Sequence, residues 1–421
     1  MFPSKTSKSD VLTGIEIGTS AVKVAMGCPV GDGTFSILGL GSVPVQGVVK
    51  GEITDMSLAR EALNEALEKA ERQAGVHVRD VFLAVTGGHI RTVVNAGRTP
   101  VQAEDRRIEE DDVVTAIRNA KSYNLPPDRR IINSLDRRYL LDGEREIASP
   151  SGHPAGSFEA EVLLAYGSVS RLESPCKVVH DVLGYPPEDI AFSPVAACLG
   201  ALLPEQLEQG TLLVDVGAGV TEYALFAEPG CFHAGQVTVG CNHLANDLAI
   251  GLRLSYPKAR QLLLDLDKYG SASMEPDGNR RMVEIDTVTA MHRRIPVATI
   301  EQVIELRLRE LFEVIAADIR AADALPRAGH GAVLCGGGAG ISGIESLASS
   351  ILGMPVRPAA PARAHLPEGA ADPERYLVPI GLIHYGEFIL QVSQQPQKSL
   401  VQQIRADMST LGRVIKQAFK W

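Results

Sequence analysis

Cysteine is scarce in this chain of 421 residues, and no two of its six cysteines form a CxxC pair. Small secreted scaffolds pair closely spaced cysteines in disulfides, so the scattered positions predict reduced thiols. One alternative stays open, because residues two apart on a strand share a face and thiol and imidazole groups bind zinc. The four candidate zinc ligands are Cys231, His233, Cys241 and His243. Their spacing matches no usual zinc motif, so buried core positions are the competing interpretation.

Long apolar runs are also absent. The longest run, residues 195–203, ends at Pro204, whereas a membrane-spanning helix needs roughly 18 or more apolar residues. Residues 1–8 lack the apolar centre of a secretory signal, and they are predicted to form a short disordered arm. We therefore expect a cytoplasmic protein with no helix across a membrane.

Basic residues are in deficit, with 41 Lys and Arg against 51 Asp and Glu and a formal net charge of −10. Proteins that bind nucleic acids through the phosphate backbone need a basic surface. The composition therefore argues against a nucleic-acid partner, and any basic surface must be local.

The pattern of elements that is present indicates a mixed α/β chain with at least two domains, since its length exceeds what one core usually supports. A helix is predicted over residues 58–74, and residues 87–167 form a charged region that looks like an insertion. One helix, residues 109–123, and two strands, residues 130–141 and 158–166, are predicted within it. Two three-stranded meanders are predicted about 200 residues apart. Their strands are residues 11–17, 22–28 and 35–40, then 211–216, 221–227 and 232–239. The repetition indicates an internally duplicated fold with a cleft between its halves.

Both meanders carry an acid-x-Gly turn, one within residues 16–23 and one within 215–222, and a third glycine-rich run links a strand to a helix at 334–341. Glycine lets the backbone approach phosphate oxygens, and the turn amides form a concavity for anions. The predicted nucleotide-binding residues of these runs are Gly18, Thr19, Ser20, Lys23, Gly217, Ala218, Gly219, Thr221, Gly336, Gly337 and Gly338. Glu16 and Asp215 are predicted to hold Mg²⁺ through its water shell.

The order of these runs is that of actin-like ATPases, sugar kinases and the heat-shock chaperone ATPase domain. A dinucleotide-binding fold would place GxGxxG directly before a helix, but the residues after Gly18 continue into another strand. At this level the chain resembles the FtsA family of bacterial cell-division proteins from about Val11 to Trp421. Beyond the turns, the similar stretches are residues 48–53, 86–90, 300–311 and 379–386.

The resemblance implies an actin-like, ribonuclease H-like duplicated fold with an inserted subdomain in each half and a C-terminal amphipathic helix. The implied boundaries are 1–86, 168–206 and 375–395 for the first core, 87–167 for its insertion, 207–240 and 300–374 for the second core, 241–299 for its small subdomain, 396–408 for a linker and 409–421 for the helix. It also implies ATP and Mg²⁺ in the cleft, with Gln302 and Glu305 as further nucleotide contacts.

The partners that the resemblance implies are other copies of the chain in a head-to-tail filament, later division proteins, and the C-terminal peptide of the tubulin-like protein FtsZ. The small subdomain would bind this peptide. Its candidate contacts for an acidic peptide are Lys258, Arg260, Arg293 and Arg294.

Two departures from the family pattern affect these expectations. Hydrolysing actin relatives usually carry Glu or Gln where this chain has Ser193. Because a serine hydroxyl is no strong base near neutral pH, we predict tight ATP binding with slow or undetectable turnover. In the insertion, Arg137 and Arg138 precede Tyr139 where the family often has Gln-Glu-Tyr, so a partner surface there would have changed the sign of its charge.

The last thirteen residues have the pattern of a basic amphipathic helix that lies on anionic lipid. Its apolar stripe is Leu411, Val414, Ile415 and Ala418, flanked by Phe419 and Trp421. Its basic side carries Arg413, Lys416 and Lys420. A helix packed on the protein body is the alternative for this segment. For the whole chain, the alternatives are a pilus-assembly adaptor, a sugar kinase or chaperone ATPase, and a structural protein with an inactive cleft.

Overall fold

The first half begins with an antiparallel meander, followed by a helix and a parallel strand. The computed structural model describes residues 11–31, 33–266, 281–286 and 292–394. The elements up to the insertion are β1 (Leu12–Ile17), β2 (Ala21–Gly31), β3 (Thr34–Pro44), β4 (Val48–Val49), β5 (Glu52–Ile53), α1 (Met56–Ala74) and β6 (Val81–Val85). The predicted meander is confirmed, since β1 pairs with β2 and β2 with β3 in antiparallel register.

Helix α1 confirms the helix predicted from residue 58 and begins two residues earlier. Asp55 caps it by accepting hydrogen bonds from the amides of Ser57 (2.9 Å) and Leu58 (3.1 Å), and Gly75 ends it in the left-handed conformation. The buried stripe is Ala59, Ala62, Leu63, Ala66, Leu67 and Ala70. This stripe packs on the first sheet and covers one of its faces.

The insertion forms its own four-stranded antiparallel sheet. Its elements are β7 (Arg91–Pro100), α2 (Glu110–Lys121), β8 (Arg129–Leu141), β9 (Arg145–Ile147) and β10 (Ser157–Ser168). The strand order is β7-β10-β8-β9, and α2 packs its apolar side on β7 and β10. The sequence predicted α2, β8 and β10 but missed β7 and β9, because these edge strands are mostly polar and exposed.

The sequence suggested that Arg137, Arg138 and Tyr139 form a partner surface whose charge has changed sign. For Arg137 and Tyr139 this expectation is wrong, because neither lies on the surface. Arg137 and Tyr139 are buried, and both arginines pair with the buried carboxylate of Glu161. Arg137 also donates a hydrogen bond to the carbonyl of Phe232 in the second half (3.1 Å). Arg137 therefore joins the insertion to the second half.

After the insertion the chain adds β11 to the first sheet and starts the second meander. These elements are α3 (Val169–Leu183), β11 (Asp189–Phe192), α4 (Ser193–Ala201), α5 (Pro204–Gln209), β12 (Thr211–Val216), β13 (Thr221–Ala227) and β14 (Gly230–Val237). The apolar run at residues 195–203 belongs mainly to α4, whose nine residues are all buried. Its hydrophobicity thus reflects the protein core.

The remaining elements complete the second half and return to the first. They are α6 (Cys241–Leu252), α7 (Tyr256–Leu264), β15 (Met282–Asp286), β16 (His292–Pro296), α8 (Val297–Ala321), β17 (Gly331–Cys335), α9 (Ile344–Leu352), β18 (Val356–Pro358), β19 (Ala364–His365) and α10 (Leu377–Gln394). Among the residues described, no helix combines the length and apolarity needed to cross a bilayer. The predicted linker at 396–408 and helix at 409–421 lie outside the described residues.

The two large sheets share one topology, which confirms the predicted duplication. The first has the order β11-β6-β1-β2-β3-β19 and the second β18-β17-β12-β13-β14. In each, the first meander strand pairs in parallel with a later strand, β6 or β17. The two acid-x-Gly turns therefore occupy equivalent places in the two halves.

Candidate functional site

The predicted phosphate turns of both halves line one cleft of about 950 Å³ that opens to solvent. The predicted nucleotide and magnesium residues found in its lining are Glu16, Gly18, Thr19, Ser20, Lys23, Asp215, Gly217, Ala218, Gly219, Gly336 and Gly337. The structure thus brings residues separated by up to about 320 positions into one cavity, although their roles toward a ligand stay predictions.

The two turns have the same backbone geometry and face each other. The amide of Gly18 donates to the carbonyl of Ala21 and that of Gly217 to the carbonyl of Val220, each at 3.0 Å. A side chain at Gly219 would place its Cβ 2.7 Å from Oγ1 of Thr19. Glycine at position 219 is therefore required by the close approach of the two halves.

The third glycine run closes the cleft beside Asp215. Gly336 has a φ of +80°, and a Cβ there would lie 2.1 Å from Oδ1 of Asp215. Gly337 faces open space. Gly338 is behind the lining, where its amide donates to the carbonyl of Val216 (2.9 Å). Gly336 thus allows close packing on the carboxylate, while Gly337 leaves room in the cleft.

Charged side chains on the two hairpins converge at the cleft floor. The strand register places Glu16 opposite Lys23 and Asp215 opposite Glu222. Nζ of Lys23 lies 3.1 and 3.0 Å from the two carboxylate oxygens of Glu16. Burial alone would lower the pKa of Lys23, but the negative charges of Glu16 and Asp215 raise it above its usual value. Burial and the nearby Glu16 raise the pKa of Asp215 to about 6.

Glu222 is a cleft residue that the sequence reasoning missed. It is 6% exposed, and its Oε1 accepts a hydrogen bond from Oγ1 of Thr86 (2.8 Å). Ser193 also hydrogen-bonds this carboxyl group, and burial raises its pKa to about 8. The signal was present in the repeat, because Glu222 occupies in the second hairpin the position that Lys23 occupies in the first.

Besides Gly338, three predicted nucleotide contacts are not in the cleft lining. Thr221 is buried and donates its hydroxyl hydrogen to the carbonyl of Val239 (2.8 Å). Gln302 and Glu305 are exposed on α8, because the buried stripe of this helix contains Ile300 and Ile304 on another side. Glu305 pairs there with Arg309 at 2.7 Å. For these residues the structure does not support the predicted placement.

The four predicted peptide contacts are in different settings. Arg260 lines the cleft together with Leu263 and Leu264 of α7, and its contact with a partner peptide stays a prediction. Lys258 is exposed on the same helix, and Arg293 and Arg294 are exposed on β16. Arg294 lies 3.7 Å from the carboxylate of Glu284.

The zinc interpretation is wrong because a bulge separates the proposed ligands. Cys231 is opposite Phe226 and His233 opposite Leu225, with a register shift between them, so the two side chains point to opposite faces of the sheet. Nε2 of His233 instead lies 2.5 Å from Oδ2 of Asp318. Across the described ranges, no group of three or more His, Cys, Asp and Glu side chains is arranged to hold a metal ion.

The cleft chemistry fits a magnesium nucleotide. Glu16, Asp215 and Glu222 supply three carboxyl groups against the single ammonium of Lys23 at the floor, so a divalent cation would relieve their repulsion. Magnesium keeps several waters and needs only one or two carboxylates besides substrate phosphates. The open side of Gly337 and the apolar side chains of α7 leave space for a nucleoside.

Comparisons with known proteins agree with this architecture. A sequence model described as cell division protein FtsA matches residues 212–381, and one described as the SHS2 domain inserted in FtsA matches residues 87–166. FtsA of Bacillus subtilis is 28% identical over 90% of this chain and 84% of its own length. FtsA of Pseudomonas aeruginosa is 27% identical over 89% of each chain.

Solved structures share the fold at lower identity. The PilM-PilN type IV pilus biogenesis complex matches with a TM-score of 0.59 at 17% identity, covering 89% of this chain and 98% of the other. MreB5 of Spiroplasma citri bound to ADP matches with a TM-score of 0.54 at 15% identity, covering 92% of this chain and all of the other. The two family matches together cover more than half of the chain and include both its duplicated core and its insertion. This chain therefore has an actin-like fold and belongs to the FtsA family of bacterial cell-division proteins.

Proposed function

We propose that this protein binds ATP with Mg²⁺ in the cleft and assembles into head-to-tail filaments. It tethers FtsZ filaments to the cytoplasmic membrane and recruits later division proteins there. The observation that carries the proposal is the convergence of Glu16, Lys23 and Asp215 with both glycine turns in one cleft. MreB5 of Spiroplasma citri, which shares the fold, carries ADP in one solved structure and AMPPNP in another. Family membership supports the role in division.

Lys23→Met is expected to weaken ATP binding by roughly 10-fold to 100-fold. The variant removes the one ammonium at the cleft floor and leaves Glu16 facing Asp215, and a hydrogen bond to a charged group contributes about 1.5–3 kcal/mol. Titration with a fluorescent ATP analogue in Mg²⁺ measures this affinity. Lys69→Met is the matched control, because Lys69 pairs with Glu65 on the exposed side of α1. Equal affinities in the two variants would contradict the proposed nucleotide site.

Membrane attachment is proposed to reside in the tail, residues 409–421, which carries three cations beside an apolar stripe. Each cation near an anionic leaflet contributes about 1 kcal/mol to the free energy of membrane binding. Ordering the dozen residues of the tail as a helix opposes binding and costs on the order of 1 kcal/mol per residue. A single tail should therefore bind weakly. Many tails on one filament bind as a unit, so polymerisation and membrane attachment should reinforce each other.

Deletion of residues 409–421 is expected to abolish sedimentation with liposomes that contain anionic lipid. The assay uses the full chain and the truncated chain in ATP, with and without FtsZ. FtsZ should sediment with the liposomes only when the full chain is present. Liposomes of neutral lipid are the control and should bind less protein, because the electrostatic contribution is then lost. A truncated chain that still sediments with anionic liposomes would refute the anchor.

The FtsZ peptide is proposed to bind the small subdomain around Lys258, Arg293 and Arg294. These residues are exposed on α7 and β16, and an acidic peptide would complement their charge. Arg260 is also proposed to face the nucleotide, since it lines the cleft.

A further inference from the structure

Strand β14 lies at one edge of the second sheet, and the insertion of the first half covers it. The sheet order is β18-β17-β12-β13-β14. An edge strand presents unpaired backbone groups, which proteins commonly cover with another element. The covering segments here are the start of β7 and the strand β8. Both belong to the other half of the molecule, so this contact joins the two halves.

The start of β7 runs antiparallel beside β14 and is bound to it through side chains. Nε2 of Gln236 donates to the carbonyl of Ile90 (3.2 Å), and Oγ1 of Thr92 donates to the carbonyl of Ala234 (2.8 Å). The partner on β14 moves back by two residues as the chain advances by two, as in an antiparallel pair. Because each bond uses one side chain, a single substitution can remove it without interrupting a strand.

A second group of contacts joins the halves at the beginning of β14. Arg137 of β8 donates to the carbonyls of Phe232 (3.1 Å) and Ala322 (3.2 Å). Arg327 of the second half pairs with Glu146 of the insertion (2.6 Å), and its guanidinium carbon lies 4.5 Å from the centre of the Phe232 ring. The face of an aromatic ring attracts a cation at this distance. The insertion thus holds the second half at two places along one strand.

The segment that enters the insertion also lines the cleft. Thr86 donates to Glu222 of β13 across the cleft (2.8 Å), and the chain then continues to Ile90 beside β14. Because β13 and β14 are paired strands of one sheet, a movement that draws β13 away from Thr86 also draws β14 away from the insertion. We propose that the insertion is a clasp, which resists opening of the cleft and thereby slows the release of bound nucleotide. The effect on nucleotide rests on the proposed binding of ATP in the cleft.

The clasp acts on a rate because release of nucleotide needs an open state. A ligand enclosed between two halves leaves from conformations in which the halves have separated. Contacts that exist only before this separation make the open conformations rarer. The net contribution of one hydrogen bond changes such an equilibrium by roughly 2-fold to 10-fold. Loss of one cross-half hydrogen bond should therefore speed release by about this factor, and a covalent link across the clasp should slow it.

Thr92→Val in the full chain removes one cross-half hydrogen bond. Valine keeps the branched shape of threonine and suits a strand equally well. The dissociation rate of a fluorescent ATP analogue, measured by stopped flow with excess ATP and Mg²⁺, should rise roughly 2-fold to 10-fold. Thr99→Val is the matched control, because Thr99 lies on the same strand and its hydroxyl donates to the carbonyl of Pro100 within the insertion (3.4 Å). It should leave the dissociation rate unchanged.

A disulfide across the clasp tests the opposite change. A Cβ on Gly88 would lie 2.9 Å from Cγ2 of the exposed Thr238, close to the spacing of about 3 Å between a Cβ and the far sulfur of a disulfide. Gly88→Cys with Thr238→Cys should therefore cross-link in oxidised glutathione, and dithiothreitol should reverse the link. The cross-linked chain should release the analogue roughly 10-fold or more slowly than the reduced chain. Each single variant, oxidised in the same way, controls for pairing with a native cysteine.

Hydrogen exchange of residues 232–238 in the nucleotide-free chain gives a measurement that does not depend on ATP. Exchange at this edge also proceeds from the open state, so Thr92→Val should speed it roughly 2-fold to 10-fold and Thr99→Val should not. Equal exchange and equal dissociation rates in the two variants would overturn the clasp, as would failure of the introduced cysteines to cross-link. Faster exchange in Thr92→Val, in a chain that binds no nucleotide, would refute the binding proposal and leave the clasp intact.

Discussion

Gly336→Ala is expected to lower the free energy of unfolding by about 2–5 kcal/mol and to disturb the cleft. A side chain in the left-handed conformation costs about 1–2 kcal/mol, and Gly336 has a φ of +80°. The new Cβ would also lie 2.1 Å from Oδ1 of Asp215 and 2.7 Å from the carbonyl oxygen of Val216. Overpacking of this kind costs about 1–3 kcal/mol. The backbone carbonyl has little freedom to move, so Asp215 would be displaced.

Gly343→Ala is the matched control for this experiment. Gly343 also has a φ of +80°, but no atom lies within 4 Å of the position that a Cβ would take. Its free energy of unfolding should fall by about 1–2 kcal/mol, which is the cost of the left-handed conformation alone. Denaturant unfolding followed by circular dichroism gives both values. If the two variants lose the same stability, the proposed clash with Asp215 is wrong.

Arg137→Met is expected to lower the free energy of unfolding by about 2–4 kcal/mol. Arg137 is buried and pairs with the buried Glu161, and it donates to the carbonyls of Phe232 (3.1 Å) and Ala322 (3.2 Å). Breaking a buried pair costs about 3–5 kcal/mol when the partner is left alone. The cost should be somewhat smaller here, since Arg138 still holds Glu161 at 2.7 and 2.8 Å.

Arg98→Met is the control on the same sheet, because Arg98 is more than half exposed and pairs with Glu159 at 3.3 Å. Such a pair contributes about 0–1 kcal/mol to stability.

The pH dependence of the free energy of unfolding gives a second measurement of the role of Arg137. Burial raises the pKa of Glu161, but Arg138 and Arg137 together hold it below its usual value of 4.5. The pair therefore stabilises the fold above this value, and its contribution is lost as the pH falls below it. The difference in the free energy of unfolding between Arg137→Met and the unsubstituted protein should therefore become smaller as the pH falls below 4.5. A difference that does not change with pH would contradict a stabilising ion pair between Arg137 and Glu161.

These contacts give the insertion a structural role beyond its own fold. Its strand β8 contacts β14 of the second half through Arg137, and Oγ1 of Thr92 donates to the carbonyl of Ala234 (2.8 Å). A further ion pair joins Arg327 to Glu146 at 2.6 Å. The insertion belongs to the first half by sequence, so it connects the two halves away from the cleft.

Much of the site could be predicted from local sequence, because acid-x-Gly turns and the strand-Gly-Gly run need particular backbone conformations. Gly18, Gly217 and Gly336 line the cleft where their spacing placed them. Gln302 and Glu305 were placed by family resemblance alone, and the helical period of α8 puts them on an exposed side. The zinc interpretation failed because strand alternation does not reveal a bulge.

The sequence by itself determined the α/β class, the duplication and the phosphate turns, since hydrophobic period and glycine placement are local properties. It also carried the amphipathic pattern of residues 409–421. Only the tertiary structure decided which side chains meet across the two halves. Thr86, Ser193 and Glu222 are far apart along the chain, and their hydrogen bonds exist because the two sheets pack with their turns facing one another. Such contacts depend on the relative placement of whole sheets, which no local pattern encodes.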